Sequence, residues 1–144
     1  MALPETALKL IGEALGQVPG STTLVFFGHG MGELSGPGIS FHSDYGIARW
    51  ALLEADVTVF TLDVTDADHH TLEVGLQDIA AETGGFYARA HNFSGQAMSR
   101  LEAALEGHYV LEVAHPGGPS GRHDIDVDLV GGSGRVLARK TYFD

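Results

Sequence analysis

The sequence predicts an α/β domain in which a mostly parallel sheet is flanked by helices and followed by an antiparallel β segment. In residues 1–107, short apolar runs alternate with stretches of helical periodicity, as in the β-α units of parallel sheets. In residues 108–144, apolar residues instead recur at every second position, which is typical of half-exposed antiparallel strands. A chain of 144 residues is long enough for one domain with a core. We expect the last segment to pack on that same domain.

Helices are predicted where apolar residues recur every three or four positions. The four segments are 4–18, 44–55, 71–83 and 94–106. Pro4 suits the first turn of a helix, and Ser43 and Ser94 are candidate N-caps of the second and fourth helices. The expected buried stripe of the first helix consists of Leu8, Ile11, Leu15 and Val18.

Strands of the parallel sheet are predicted at 22–27, 57–62 and 86–90. The first contains the uninterrupted apolar run 24–27, which indicates a strand buried on both faces. In the last segment, alternation predicts strands in two places and a returning strand at 135–143. The alternating apolar residues are Tyr109, Leu111 and Val113, then Ile125, Val127 and Leu129.

Composition excludes several classes of function. The chain carries 8 Lys and Arg against 19 Asp and Glu, a net charge of −11, so nucleic acid and anionic membrane surfaces are disfavoured partners. A cationic partner or a divalent metal would be attracted. There is no cysteine, which excludes disulfides, thiolate metal sites and a cysteine nucleophile. No apolar run is long enough to insert into a membrane.

Candidate binding residues follow two of the predicted parallel strands. In open α/β sheets, ligands bind at the carboxyl ends of the strands. The expected partner-binding residues are Gly28, His29, Gly30, Asp63, Asp66 and Asp68. The same loops offer ligands for Zn²⁺ or Mn²⁺, with His29, Asp66, His69 and His70 as candidates. The alternative is an acidic loop in which Asp66 or Asp68 caps the next helix, and the sequence favours that structural role over a cofactor.

Three motifs of known binding or catalytic sites are not matched by this sequence. The glycines at 28, 30 and 32 do not fit the Gly-x-Gly-x-x-Gly phosphate loop, and no helix follows at once. Asp124-x-Asp126-x-Asp128 does not open a calcium loop, because Leu129 and Arg135 stand at its sixth and twelfth positions. These carboxylates are expected on an exposed strand face, opposite Arg135 and Arg139. No Gly-x-Ser-x-Gly elbow is present, so nothing here predicts an enzyme.

Six stretches together resemble the von Willebrand factor type A family, most closely its bacterial VWFA-related branch. They are LVFFGHG, VTVFTLDVTD, LQDIAAETGGFYARA, GHYVLEVAHP, GRHDIDVDLV and RVLARKTYF, of which ETGGFY is the most specific. The resemblance implies a Rossmann-like, VWA-type sheet. It also implies protein–protein adhesion, often through a divalent metal at the carboxyl edge.

The chain departs from that family in two ways. It contains no Asp-x-Ser-x-Ser, so the resemblance covers only the C-terminal portion of such a domain, without its first three strands. Gly28-His29-Gly30 also stands where the family has Ser-Asp-Gly. Since Mg²⁺ prefers oxygen ligands, the family's metal site is expected to be absent from this chain. Without a neighbour, the strand at 22–27 would become an apolar open edge, which predicts either a homo-oligomer formed through it or a strand supplied from elsewhere.

We therefore expect a non-enzymatic interaction or adhesion module that binds an unidentified protein through loops 28–42 and 63–70. The alternative is a metal-dependent binder or hydrolase built on His29, Asp63, Asp66 and His70.

Overall fold

The computed structural model describes residues 3–36, 38–66, 70–92, 94–114 and 117–144. Within these ranges the helices are α1 (Pro4–Leu15), α2 (Asp44–Glu54), α3 (Glu73–Glu82) and α4 (Ser94–Leu105). The strands are β1 (Thr22–Gly28), β2 (Glu33–Ser35), β3 (Gly38–Ser40), β4 (Val57–Asp63), β5 (Tyr87–Arg89), β6 (Arg122–Asp124) and β7 (Thr141–Phe143). None of these helices is long and apolar enough to cross a membrane.

The central sheet is parallel, with strand order β1-β4-β5. β1 pairs with β4 from Thr22 opposite Val57 to Gly28 opposite Asp63. β5 pairs with the last part of β4, where Arg89 lies opposite Asp63. Two small antiparallel pairs, β2 with β3 and β6 with β7, complete the described strands. The α/β fold with a parallel sheet, flanking helices and a C-terminal hairpin is thus confirmed.

Helices cover the sheet on both faces, because β4 presents apolar side chains to each. Val57 and Val59 pack with residues of α1, α2 and α3 in one cluster. Phe60 and Leu62 point to the other face and pack with Leu101 of α4. β4 is therefore the buried strand at the centre of the core.

The prediction that the run 24–27 is buried on both faces is wrong. Phe27 is 56% exposed and Thr23 is also exposed. Both lie on the face of the sheet where α4 packs against β4 and β5, and β1 extends beyond that cover. An uninterrupted apolar run does not reveal whether a strand is central or at an edge.

The junction between α3 and β5 explains the stretch Thr83-Gly84-Gly85. The hydroxyl of Thr83 accepts a hydrogen bond from the Val59 amide at 3.0 Å and donates one to the Ile79 carbonyl at 2.8 Å. Gly84 has φ +87°, as expected after a helix end. A Cβ at Gly85 would lie 1.9 Å from the Val59 carbonyl oxygen. The glycine therefore allows the chain to pass against β4 just before β5 begins.

The helix boundaries differ from those predicted. α1 ends at Leu15, its buried residues are Glu5, Leu8 and Gly12, and Val18 is half exposed. Gly12 is buried because its Cα faces Ala51 of α2, where a Cβ would approach to 2.9 Å. Ser43 precedes α2 without a capping hydrogen bond from its side chain.

Ser94 is the first residue of α4 rather than its N-cap.

The C-terminal segment forms fewer strands than predicted. β6 and β7 pair from Arg122 opposite Phe143 to Asp124 opposite Thr141. After β6 the predicted alternation of exposure continues only to Val127, with Ile125 and Val127 half buried between exposed aspartates. It fails at Leu129, which is 53% exposed. The segment 109–113 is not a strand, and its side chains are exposed, Tyr109 by 95%. A strand needs a neighbour to satisfy its backbone, and the described residues offer none here.

Arg139 does not lie opposite the aspartates as predicted. Its guanidinium binds Asp56 Oδ1 at 2.9 Å and the Leu53 carbonyl at 2.6 Å. Phe143 packs against Trp50 of α2 with ring centroids 4.2 Å apart. These contacts join the C-terminal segment to the helical layer.

Candidate functional site

The loops after β1 and β4 meet at the carboxyl edge of the sheet, as predicted. Gly28 lies opposite Asp63, and its carbonyl accepts a hydrogen bond from the Val64 amide at 3.0 Å. Gly30 lies against His70 and Leu72. The structure therefore brings Gly28, Gly30, Asp63 and His70 to one place.

The glycines after β1 are required by packing. Gly30 and Gly32 have φ of +119° and +86°, which side-chain-bearing residues rarely adopt. A Cβ at Gly30 would lie 2.6 Å from Leu72 Cβ, and one at Gly32 would lie 2.9 Å from the Ser40 carbonyl oxygen. This alternation of glycines lets the loop pack tightly between its neighbours.

A hydrogen-bonded polar cluster lies at the ends of β4 and β5. Asp63 is 2% exposed, and its Oδ2 lies 2.6 Å from His70 Nε2 and 2.9 Å from Tyr87 Oη. Tyr87 Oη also lies 3.0 Å from Glu73 Oε2, which in turn lies 3.2 Å from Arg89. We call these five residues the polar cluster.

The hydrogen bonds determine the ionisation of the polar cluster. Burial raises the pKa of the Asp63 carboxyl. Hydrogen bonds from Thr65, His70 and Tyr87 together lower it by more than burial raises it, so the net pKa is below its ordinary value. Burial, followed by the hydrogen bond to Asp63, raises the pKa of Tyr87. Asp63 is therefore an anion at neutral pH, and Tyr87 keeps its proton.

Three members of the polar cluster have the chemistry of metal ligands. One ligand atom each from Asp63, His70 and Glu73 lies within 4.8 Å of the other two. Two carboxylates and an imidazole suit Zn²⁺ or Mn²⁺. The two other expected ligands that the structure describes do not join them. His29 is exposed, and Asp66 is exposed and pairs with His91 at 3.0 Å.

Asp68 and His69 lie outside the described residues.

Glu73, Tyr87 and Arg89 were missed from the sequence. Glu73 begins α3, where an acidic residue is explained by the favourable interaction with the helix N-terminus. Tyr87 and Arg89 resemble ordinary strand residues. Tyr87 and Arg89 are related to Asp63 by the strand register, which local sequence does not encode: matching positions of neighbouring parallel strands share a face, and Arg89 lies opposite Asp63.

A cavity of about 700 Å³ opens beside the carboxyl end of β1. Its apolar lining residues are Leu3, Phe26, Phe27, Met31, Phe41 and Leu72. His29 also lines it, together with Glu5 from the first turn of α1. Glu5 was missed from the sequence. Its position in the apolar stripe, one turn before Leu8, was the available signal.

No protein-family model, curated protein or solved structure matches the chain.

Proposed function

We propose that this chain is a non-enzymatic protein–protein interaction module of the von Willebrand factor A type, which associates with a second copy through β1. The observation that carries this proposal is the unpaired edge of β1. Among the described residues, β1 pairs only with β4. An unpaired edge presents backbone donors and acceptors to another strand.

The backbone groups at the free edge can be assigned. The Thr22 amide donates to the Asp56 carbonyl, and the Gly28 carbonyl accepts from Val64, so even-numbered residues of β1 face β4. Successive residues direct their backbone groups to opposite edges. The amides and carbonyls of Thr23, Val25 and Phe27 therefore point away from the sheet.

This edge lacks the features that usually prevent association. From Thr22 to Gly28 it contains no charged residue and no proline. A chain with net charge −11 repels its own copies over most of its surface, and an uncharged strand gives two copies a place to approach. A two-fold axis at Val25 would pair it with Val25 of the second copy and Thr23 with Phe27.

The second surface of the proposed module is formed by the described parts of loops 28–42 and 63–70. Exposed apolar side chains flank it, with Phe27 56% and Leu34 71% exposed. Large apolar side chains exposed near a loop surface offer contact area to a protein partner. We propose that a protein partner binds here while β1 joins two copies.

Light scattering tests the self-association. We expect the wild-type chain to have a dimeric or larger mass, and Phe27→Lys, which places a charge on the edge, to be monomeric. Leu10→Lys is the matched control, because Leu10 is 57% exposed on α1 and the charge change is the same. Association should strengthen with salt, because salt screens the repulsion between acidic copies. A monomeric wild-type chain at all concentrations would contradict the proposal.

A second candidate function is divalent-metal binding, with hydrolysis as one use of the metal. The grouping of Asp63, His70 and Glu73 within 4.8 Å favours it. A metal that binds only the folded chain raises its melting temperature. The test is a thermal melt in EDTA and then with Mg²⁺, Mn²⁺, Ca²⁺ and Zn²⁺ in turn. A rise with one ion that His70→Ala removes and His91→Ala keeps supports this function. No rise with any ion excludes it.

A further inference from the structure

Glu5 is a buried carboxylate with little to stabilise its charge. The residue is 2% exposed, and Gly32 donates its amide to Oε1 at 2.7 Å. The described residues make no other hydrogen bond to this carboxylate and place no lysine, arginine or histidine in an ion pair with it. A buried charge without a partner is costly. The N-terminus of α1 compensates it only in part.

This carboxylate belongs to the lining of the cavity at the end of β1. The cavity lining also includes the apolar residues Phe26, Phe41 and Leu72. A volume of about 700 Å³ lies within the range of sites that hold small ligands or side chains. The occupant that such a cavity fits has an apolar stem and a cationic end, because it must contact both kinds of wall.

We propose that this cavity binds a lysine side chain of a protein partner, with the ammonium on Oε2 of Glu5. This inference rests on the proposed interaction function and gives the partner's chemistry. Lysine has a long apolar stem and a compact charge. Arginine is less suited, because its planar fork favours both carboxylate oxygens together and the Gly32 amide already lies 2.7 Å from Oε1. The overall charge of −11 would attract a basic segment.

The probe is a lysine with blocked ends, Nα-acetyl-lysine methylamide, titrated into the ¹⁵N-labelled full chain. We expect a saturable shift of the Gly32 amide signal, since this amide binds the same carboxylate. The comparison probe carries a second acetyl group on Nζ, which keeps the stem and removes the charge. We expect it to bind at least tenfold more weakly.

Two variants locate the site. Glu5→Gln should weaken the lysine probe at least tenfold, and its amide oxygen can still accept from Gly32. Glu33→Gln, a change of the same charge at an exposed residue of the same cavity, should leave affinity within twofold. If Glu5→Gln does not fold, the two probes on the wild-type chain decide.

Several results would overturn the inference. They are no saturable shift, equal binding of the two lysine probes, or unchanged affinity in folded Glu5→Gln. Equal affinity for the matching arginine amide would overturn the choice of lysine. A monomeric wild-type chain would refute self-association and leave this site intact, so the two failures are distinguishable.

Discussion

The hydroxyl of Thr83 should stabilise the central strand, and Thr83→Val tests this. Thr83 is 1% exposed, and its hydroxyl is the hydrogen-bond acceptor for the Val59 amide. β5 begins only at Tyr87, opposite Thr61, so β5 does not reach Val59. Valine keeps the shape of the side chain and leaves this buried amide without its acceptor.

The expected loss is the difference of two terms. A buried amide without a partner costs about 1–3 kcal/mol. The added methyl group offsets this by at most about 0.8 kcal/mol. We therefore expect Thr83→Val to lower the free energy of unfolding by about 0.2–2.2 kcal/mol in a urea titration followed by circular dichroism.

Thr83→Ser is the matched control, because it keeps the hydroxyl and removes only the methyl group. We expect it to lose about 0.8 kcal/mol, the value of one buried methyl group. The Val59 amide should exchange with solvent faster in Thr83→Val than in Thr83→Ser. A valine variant that is at least as stable as the serine variant and keeps its Val59 amide protected would show that the hydroxyl does not stabilise the strand.

Further predictions concern stability, measured by urea unfolding. Gly85→Ala should lower the free energy of unfolding by more than about 3 kcal/mol. The new Cβ would lie 1.9 Å from a carbonyl oxygen of β4, and a backbone atom cannot move aside as a flexible side chain can. Gly46→Ala, on the exposed side of α2, should instead stabilise by about 0.5–1 kcal/mol, and a similar effect at both glycines would contradict this. Asp63→Asn should cost about 1.5–3 kcal/mol at pH 7 in EDTA, because hydrogen bonds to a charged carboxylate are lost. Since the folded pKa of Asp63 is lowered, its contribution is present above its unfolded pKa of about 3.9 and disappears as pH falls through the folded pKa. A gap between wild type and Asp63→Asn that grows on acidification would oppose this sign.

Periodicity alone predicted the alternation of helices and strands, because each element of the core has to bury one side. It predicted β4 well, since Val57 to Leu62 is apolar on both faces and the strand is central. It could not distinguish β1 from β4, because the exposure of Phe27 depends on where α4 packs. The segment at Tyr109 has the alternation of a strand. It does not form one, because a strand also needs a neighbouring strand and the alternation of residues does not reveal whether one is present.

The candidate site was predicted in position and only partly in composition. Carboxyl ends of parallel strands share one edge, so Gly28, Asp63 and His70 were expected to be close. Glu73 reaches the same point from a helix. Tyr87 reaches it from a strand further along the chain, whose register local sequence does not encode. Glu5 comes from α1, before the first strand, and contacts the loop after that strand through the Gly32 amide.

Amide hydrogen exchange along β1 tests the proposed open edge most directly. We expect the Leu24 and Phe26 amides, which face β4, to be protected at every protein concentration. The Val25 and Phe27 amides should exchange rapidly in dilute samples and become protected as concentration rises and copies associate. Equal protection of all four amides, or rapid exchange of Val25 and Phe27 at every concentration, would contradict association through this edge.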